Sequence, residues 1–470
     1  MLPTPRNYAI YPAVVPADAP VEMTIVPTER SFMLFDGETY TLTAIPVNGD
    51  EDYYHDPRNH TFITAVAEEG VLRFTYTFPD EQEHVILLAR GEDKPIAELS
   101  VYSLREDLLA LRPLRGDFHG HSYRSDGRRD PASLAGHYRE QGYDFFSLTD
   151  HNRFYPGKEV DDAYAGVKLG FTRVRGEEIH ALDSVLHVVH VGGRESVAAR
   201  YVQDGETFNR EVAEYETKVP AEIPEAYRGR YARAMWTADR IHEAGGLAIF
   251  PHPYWRPGKS RAFNVHDELA ALLLKSGMFD AYELVGGMGQ EGVNRSIALW
   301  ADLRAQGLSI PVVGSSDVHG LEKSKNFPHY FTICFAEENT NDAIIEAVRA
   351  ARSVAVEASG YEYDRQYRCY GSLRLVSYCH FLLRNYFPAM QRLCAGEGVA
   401  MRAYTMNEVP ASLVEAHAEM IGNFSDRFFG KLPPALPSAE LRAYVEHCRD
   451  IQRKGPNGKG SLIDSGNMQI

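Results

Sequence analysis

The stretch that decides the fold is GDFHGHSYRSDGRRDPASLAGHYREQGYDFFSLTDHN (116–152). It begins as a short strand, after which Asp130 and Pro131 provide a helix N-cap and a first-turn proline. Helical spacing continues through ASLAGHYREQ until Gly142 ends it, and the apolar run that follows predicts a buried strand. The stretch therefore predicts a strand–helix–strand unit.

This alternation continues to about residue 359. LAIFPHP (247–253), DAYELVGG (280–287) and IPVVGSSDVHG (310–320) contain further predicted strands, and helical segments separate them. A charged stretch at about 195–232 interrupts the alternation, which predicts an insertion. The pattern indicates an α/β domain over 109–359 with parallel strands and crossover helices, either a barrel or a wound sheet.

The regions on either side have different patterns. Residues 1–108 contain repeated short strands, such as VEMTIVP (21–27) and TYTLTAIPV (39–47), and predict an N-terminal all-β sandwich of immunoglobulin-like type. Residues 360–470 return to helical periodicity and predict a helical C-terminal region. Its Gly-rich end, GPNGKGSLIDSGNMQI (455–470), is predicted to be a mobile tail.

Composition limits the possible partners and the compartment. The 470 residues include 49 basic and 65 acidic side chains, a net charge of −16, which argues against binding to genomic DNA or to an anionic membrane. Five cysteines without a CxxC pair indicate reduced thiols. We find no signal-peptide pattern and no apolar run of ~20 residues, so a cytoplasmic location is expected. The sequence makes no prediction about oligomeric state.

Histidines and carboxylates recur where the predicted strands end. His119 and His121 alternate on one strand, so both imidazoles point to the same face, and Asp317 and His319 repeat this spacing. In parallel α/β folds the carboxyl ends of strands form the functional site. The candidate ligands are His119, His121, Asp126, His151, Glu178, His187, His252, Asp317 and His319.

The chemistry of these side chains predicts a metal centre. Imidazole nitrogens and carboxylate oxygens, with no cysteine among them, suit two or three divalent ions such as Zn, Mn or Fe. Each motif alone is weak, because an isolated HxH or DxH often occurs by chance. It is their repetition at successive strand ends that indicates metal binding.

In combination and order, these motifs resemble the PHP (polymerase and histidinol phosphatase) domain over about 110–358. The resemblance lies in GDFHGHSYRSDG, YDFFSLTDHN, GEE (176–178), HP (252–253) and SSDVHG (315–320). It implies a distorted seven-stranded β/α barrel with a two- or three-metal centre held by the nine ligands above. His190 is an alternative to His187, because it also precedes glycines and the family's spacing varies here.

The resemblance also implies an activity, which is hydrolysis of a phosphate mono- or diester by a metal-bridged hydroxide. The substrate would be a small anionic phosphorylated metabolite, a nucleotide or an oligonucleotide. Positive charges are frequent in the loops that follow the ligand strands, against the net negative charge of the chain. Among these loop residues we expect Arg256, Arg153 and Asn152 to contact the substrate.

Two other functions remain open at this stage. The same centre could hydrolyse an amide, carbamate or ester, because an activated hydroxide also attacks carbonyl carbon. Alternatively, the chain could be a non-catalytic binding or scaffold protein with a structural metal site. Metal-dependent turnover would exclude the scaffold, and a comparison of phosphate with carboxyl esters would separate the two hydrolases.

Overall fold

The computed structural model describes residues 7–48, 60–91, 94–180, 186–321, 324, 326–360 and 365–453. The predicted mobile tail (455–470) lies outside the described residues. The chain divides into two compact units: Met1–Leu109 with Asn423–Ile470, and Ala110–Gly422.

The N-terminal residues form an eight-stranded sheet. Its strands are β1 (Tyr8–Tyr11), β2 (Val14–Pro16), β3 (Pro20–Pro27), β4 (Thr39–Pro46), β5 (Thr61–Glu68), β6 (Val71–Thr77), β7 (Glu83–Arg90) and β8 (Ala97–Leu104), in the order β1-β3-β6-β5-β4-β7-β8-β2. Alternate residues are buried, as Tyr40, Leu42 and Ala44 show in β4. The predicted strands of this region are confirmed, whereas their arrangement as an immunoglobulin-like sandwich stays a prediction.

The second unit is built on a ten-stranded sheet. Its strands are β9 (Arg112–Asp117), β10 (Phe145–Leu148), β11 (Thr172–Ile179), β12 (Val188–Gly192), β13 (Gly246–Phe250), β14 (Ala281–Val285), β15 (Val312–Gly314), β16 (Tyr330–Ala336), β17 (Ser353–Ser359) and β18 (Gln366–Tyr370). The order is β15-β14-β13-β12-β11-β10-β9-β16-β17-β18. The predicted α/β class is therefore confirmed for this unit.

Not every strand of this sheet is parallel to its neighbours. β9, β10 and β11 run parallel, as do β13, β14 and β15, but β12 is antiparallel to both β11 and β13. The reason is the short connection between Ile179 and Val188, because a parallel crossover needs roughly a dozen residues or more. The expectation of parallel strands with crossover helices fails at β12.

The sheet curls until β15 meets strands at the other side. The Ser353 hydroxyl of β17 donates to the Val312 carbonyl at 2.9 Å, and the Thr332 hydroxyl of β16 donates to the Gly314 carbonyl at 2.8 Å. Glycine is required at 314, because a Cβ there would lie 2.5 Å from the Phe331 carbonyl oxygen. The sheet is thus barrel-like, and a closed barrel of seven strands stays a prediction.

Helices lie between many of the strands in the sequence, and four more come after the last strand. They are α1 (Glu106–Leu109), α2 (Pro131–Glu140), α3 (Pro156–Ala163), α4 (Ala198–Gln203), α5 (Gly205–Glu216), α6 (Glu225–Glu243), α7 (Asp267–Lys275), α8 (Gln290–Ala305), α9 (Asn341–Arg349), α10 (Leu373–Asn385), α11 (Phe387–Thr405), α12 (Ala411–Phe428) and α13 (Ala439–Arg453). The predicted N-cap of α2 is confirmed, since the Asp130 carboxylate accepts from the amides of Ala132 and Ser133.

The segment predicted as an insertion is helical, whereas the predicted C-terminal region is helical only after β18 (Gln366–Tyr370), a strand that pairs with β17 and was not predicted. The stretch 195–232 contains α4, α5 and the start of α6, while α10 to α13 follow residue 360. The unit Ala110–Gly422 includes α10 and α11. Within the described part of the chain, no helix combines the length and the apolar character needed to cross a bilayer.

Candidate metal centre

The strand ends of the second unit bring all nine predicted ligands together. His119 and His121 follow β9, His151 follows β10, and Glu178 lies near the end of β11. Two isolated parallel bridges, Gly120 with Val318 and His151 with Glu178, draw these strand ends towards one another. Four more ligands occupy the same end of the sheet, beside β12, β13 and β15: His187, His252, Asp317 and His319. The ninth ligand, Asp126, lies in the loop between β9 and α2, and its Oδ2 is 3.5 Å from His151 Nε2 and 3.2 Å from His319 Nε2.

The ligand atoms form three overlapping groups. Within each group they lie within 4.8 Å of one another, so each group could hold a metal ion. The first group is His121, Asp126, His151 and His319; the second is His119, His121, Glu178 and Asp317; the third is Glu178, His187 and His252. Because His121 and Glu178 each belong to two groups, the three positions adjoin.

The Glu178 carboxylate connects the second and third groups. Its Oε2 lies 3.2 Å from His119 Nε2 and 3.3 Å from His121 Nε2. Its Oε1 lies 2.6 Å from His187 Nδ1 and 2.9 Å from His252 Nε2. One buried carboxylate therefore offers a different oxygen to each group, which is the arrangement expected of a bridging ligand between two ions.

The donor atoms fit metal ions better than they fit one another. The Nε2 atoms of His119 and His121 face each other at 3.2 Å, and both also face Asp317 Oδ1, at 3.4 and 3.0 Å. His151 Nδ1 is buried without a hydrogen-bond partner although it lies 3.1 Å from Glu178 Oε2. Imidazole nitrogens that face each other and converge on shared carboxylate oxygens are typical of ligands around a cation. That these residues bind metal stays a prediction.

The carboxylates of the centre raise the pKa values of neighbouring histidines. Burial alone would lower the pKa of His151, but Asp126 and Glu178 outweigh it and raise that pKa to about 10. Burial alone would also lower the pKa of His319, but Asp126 and Asp317 raise that pKa to about 9. For Asp126, burial raises the pKa, yet the neighbouring histidines hold it well below its usual range. Metal binding would therefore displace protons from the imidazoles.

The backbone at three site residues has a positive φ. Asp317 has φ 50°, Asn152 has φ 54° and the ligand His252 has φ 21°, a conformation that residues other than glycine adopt at a cost. Such residues cluster at functional sites, where the surrounding structure holds them. Here the Asp317 amide donates to the His119 carbonyl at 2.9 Å, which ties two ligand-bearing strand ends together.

Glu283, which no sequence motif indicates, supports a ligand. This residue of β14 is fully buried, and its Oε2 lies 2.9 Å from His119 Nδ1. Donation of the Nδ1 proton to Glu283 leaves Nε2 of His119 to face the second group. A carboxylate behind a ligating histidine is common at metal sites. The only signal in the sequence was a lone acidic residue in the apolar strand AYELV (281–285).

A second unpredicted residue, Asp150, shapes the loop before Asp126. Its buried carboxylate accepts from the Ser122 amide at 2.9 Å and the Ser125 amide at 3.1 Å. The hydroxyls of the same two serines also donate to it, each at 2.6 Å. Asp150 thereby holds the turn that presents Asp126 to the first group.

The three residues predicted to contact substrate differ in their surroundings. Asn152 binds the protein itself, since its side chain donates to the His180 carbonyl at 3.1 Å and accepts from the His180 amide at 3.0 Å. Arg153 is exposed directly after the site. Arg256 is exposed, pairs with Glu291 at 2.9 Å and lies over the ring of Phe263. Their contact with substrate stays a prediction.

His187, just before β12, and His190, within β12, point to opposite faces of the sheet. His187 contacts Glu178, as described above, whereas His190 Nδ1 lies 3.3 Å from Glu177 Oε1. His190 also stacks on Phe154 and belongs to none of the three groups formed by the described residues. The geometry thus places His187 rather than His190 beside the centre.

Comparisons with known proteins give distant structural neighbours. No family model and no curated protein matches the chain. A two-domain protein containing a predicted PHP-like metal-dependent phosphoesterase, from Bacteroides vulgatus, is 20% identical with a TM-score of 0.37, over 52% of this chain and 65% of that protein. A proposed metal-dependent phosphoesterase from Bifidobacterium adolescentis is 18% identical with a TM-score of 0.33, over 50% of this chain and 96% of that protein.

A third neighbour has a different assigned chemistry. It is an amidohydrolase from Chromobacterium violaceum with bound sulfate and no metal, 17% identical with a TM-score of 0.30, over 45% of this chain and 89% of that one. All three neighbours are thus below 25% identity and below a TM-score of 0.5. The function proposed next therefore rests on the geometry of the site itself.

Proposed function

We propose that this chain is a metal-dependent phosphoesterase that hydrolyses a phosphate mono- or diester of a small anionic substrate. The observation that carries the proposal is the Glu178 carboxylate, whose two oxygens serve two adjoining ligand groups. A carboxylate shared between two adjoining ligand groups suits a centre of two or three divalent ions. Ions such as Zn, Mn or Fe, when bound there, would activate water and neutralise charge on a phosphoryl group.

The protein's own residues would orient that centre. Glu283 holds the proton on Nδ1 of His119 and so directs Nε2 towards Glu178 and Asp317. The Asp317 carbonyl accepts from His319 Nδ1 at 2.9 Å, which fixes the His319 ring in the same way. These contacts preorganise the donor atoms, so little reorganisation is needed during the reaction.

An anionic substrate would need positive charge near the opening of the site. Arg153 lies two residues after the ligand His151, and Arg256 begins an exposed loop that also carries Lys259 and Arg261. Arg256 would exchange its exposed partner Glu291 for a phosphate oxygen, since such exposed pairs contribute little energy. These cations support a phosphorylated substrate in a chain of net charge −16.

The test is hydrolysis of p-nitrophenyl phosphate and bis-p-nitrophenyl phosphate by purified protein, combined with metal analysis. The control is the double variant His119→Ala, His121→Ala, in which the first group loses one ligand and the second group loses two. Mn- or Zn-dependent release that disappears in the variant would support the proposal. Bound metal with turnover of carboxyl esters or amides alone would favour the carbonyl hydrolase, and a protein that binds no metal would refute the proposal.

A further inference from the structure

The rings of Trp255 and His180 form an aromatic wall beside the third ligand group, and neither residue belongs to the ligand groups. The ring of Trp255 lies 5.8 Å from the ring of His187 and 6.1 Å from that of His252. The His180 ring also stacks on the His187 ring, at 5.1 Å with an interplanar angle of 29°. Two flat rings outside the ligand set thus contact the third group.

The backbone holds Trp255 firmly in this position. Its amide donates to the His252 carbonyl at 3.1 Å, and its carbonyl accepts from the Asn264 amide at 2.8 Å. The Val265 amide closes the same loop on the Pro253 carbonyl at 2.9 Å. The indole is only half-buried and packs on one side against the hydrophobic core. A rigid tryptophan beside the ligands therefore keeps part of its ring open to solvent.

The loop that leaves Trp255 adds charge to this aromatic wall. Arg256 lies over the Phe263 ring at 4.5 Å, and Arg295 lies over the same ring at 4.8 Å. Lys259 and Arg261 are exposed in the same loop. A surface with a partly open indole and several cations suits a ligand that is both planar and anionic.

We infer that the part of the substrate released from the phosphate carries a planar aromatic group, which stacks on Trp255 beside the third ligand group. This inference rests on the proposed function and narrows its substrate class to aryl or nucleoside phosphate esters. Stacking on an indole tolerates different bases and aryl rings, because each presents a π-face. A small aliphatic phosphate would gain nothing from this wall.

The experiment compares three substrates on four proteins. The substrates are p-nitrophenyl phosphate, adenosine 5′-monophosphate and the aliphatic glycerol 2-phosphate; the proteins are the wild type, Trp255→Leu, Trp255→Phe and Trp300→Leu. Trp300 is a matched control, because it is also half-buried and packs against the same core while its ring lies under Arg304. Trp255→Phe keeps an aromatic ring and guards against loss of folding in Trp255→Leu.

We expect Trp255→Leu to lower kcat/KM for the two planar substrates by roughly 5- to 150-fold, mainly through KM, and to leave glycerol 2-phosphate unchanged. Trp255→Phe should keep most of the activity, and Trp300→Leu should not discriminate between substrates. Equal losses on all three substrates, or no loss on any, would overturn the inference while leaving the phosphoesterase proposal intact.

A second measurement does not depend on turnover. Adenosine 5′-monophosphate should quench indole fluorescence in the wild type and in Trp300→Leu, but not in Trp255→Leu, because only the Trp255 ring is expected to stack. Quenching that persists in Trp255→Leu would overturn the inference. If the wild type hydrolysed no phosphate ester, the proposed function would fail, and the quenching would still decide whether Trp255 binds a planar ligand.

Discussion

Glu177 and Glu178 are consecutive residues of β11, both buried, and they support opposite faces of the strand. Glu178 shares its oxygens between histidines of two ligand groups. Glu177 accepts instead from the Val197 amide at 2.6 Å and the Ser196 hydroxyl at 2.7 Å, at the start of α4. The alternation of a strand thus separates a functional carboxylate from a structural one. The same residue type, equally buried, should then respond very differently to substitution.

The largest expected effect is that of Glu178→Gln. The amide nitrogen cannot ligate a cation, so the bridge between the second and third groups is lost. We expect bound metal to fall and kcat to drop on the order of a thousandfold, equivalent to several kcal/mol of transition-state stabilisation. Metal analysis and steady-state kinetics measure this, with circular dichroism to verify folding. A variant that keeps its metal and its activity would remove Glu178 from the centre.

The histidines paired with these two carboxylates extend the comparison. His187→Ala should lower the metal content by roughly one ion per chain, because Glu178 and His252 alone are too few ligands. His190→Ala should leave the metal content unchanged, because that ring contacts Glu177 and Phe154. Metal analysis of the two variants side by side decides between the two histidines. Loss of metal in His190→Ala alone would reverse the assignment.

These pairs also show what the sequence could predict. Local signals worked well: the capping of α2 by Asp130, the strand positions, and the concentration of ligands at strand ends were all readable. The choice of His187 over His190 was not, because it depends on the register that pairs Glu177 with His190 across the hairpin. A shift of one residue in that register would have exchanged the two faces.

Long-range contacts were equally hidden in the sequence. Glu283 and His119 are separated by 164 residues, and neither the strand AYELV nor the HxH motif indicates that they meet. The antiparallel β12 was missed because the rhythm of strands and helices predicts crossovers, whereas this connection is too short for one. What could be predicted was therefore the type of site, and what could not was the network of side chains around it.

Glu283→Gln tests whether the Glu283 carboxylate supports His119, and its expected effect is intermediate in size. The amide keeps the shape of the side chain but removes the negative charge behind His119 Nδ1. We expect metal affinity to fall by roughly 10- to 100-fold, with activity recovered at higher metal concentration. Titration of metal into chelator-stripped protein measures the change. An unaltered affinity would show that Glu283 only fills space.

The smallest expected effect on the metal centre is that of Glu177→Gln, the neighbour and matched control of Glu178→Gln. Glu177 also accepts from the Ala198 amide at 3.2 Å and contacts His190, so its loss of charge weakens several buried hydrogen bonds at once. We expect the free energy of unfolding to fall by about 1–3 kcal/mol, with metal content and kcat unchanged. Urea unfolding of the metal-free protein measures the stability. If Glu177→Gln lost metal as Glu178→Gln does, the two faces of β11 would not be independent, and the division of roles between these adjacent carboxylates would be wrong.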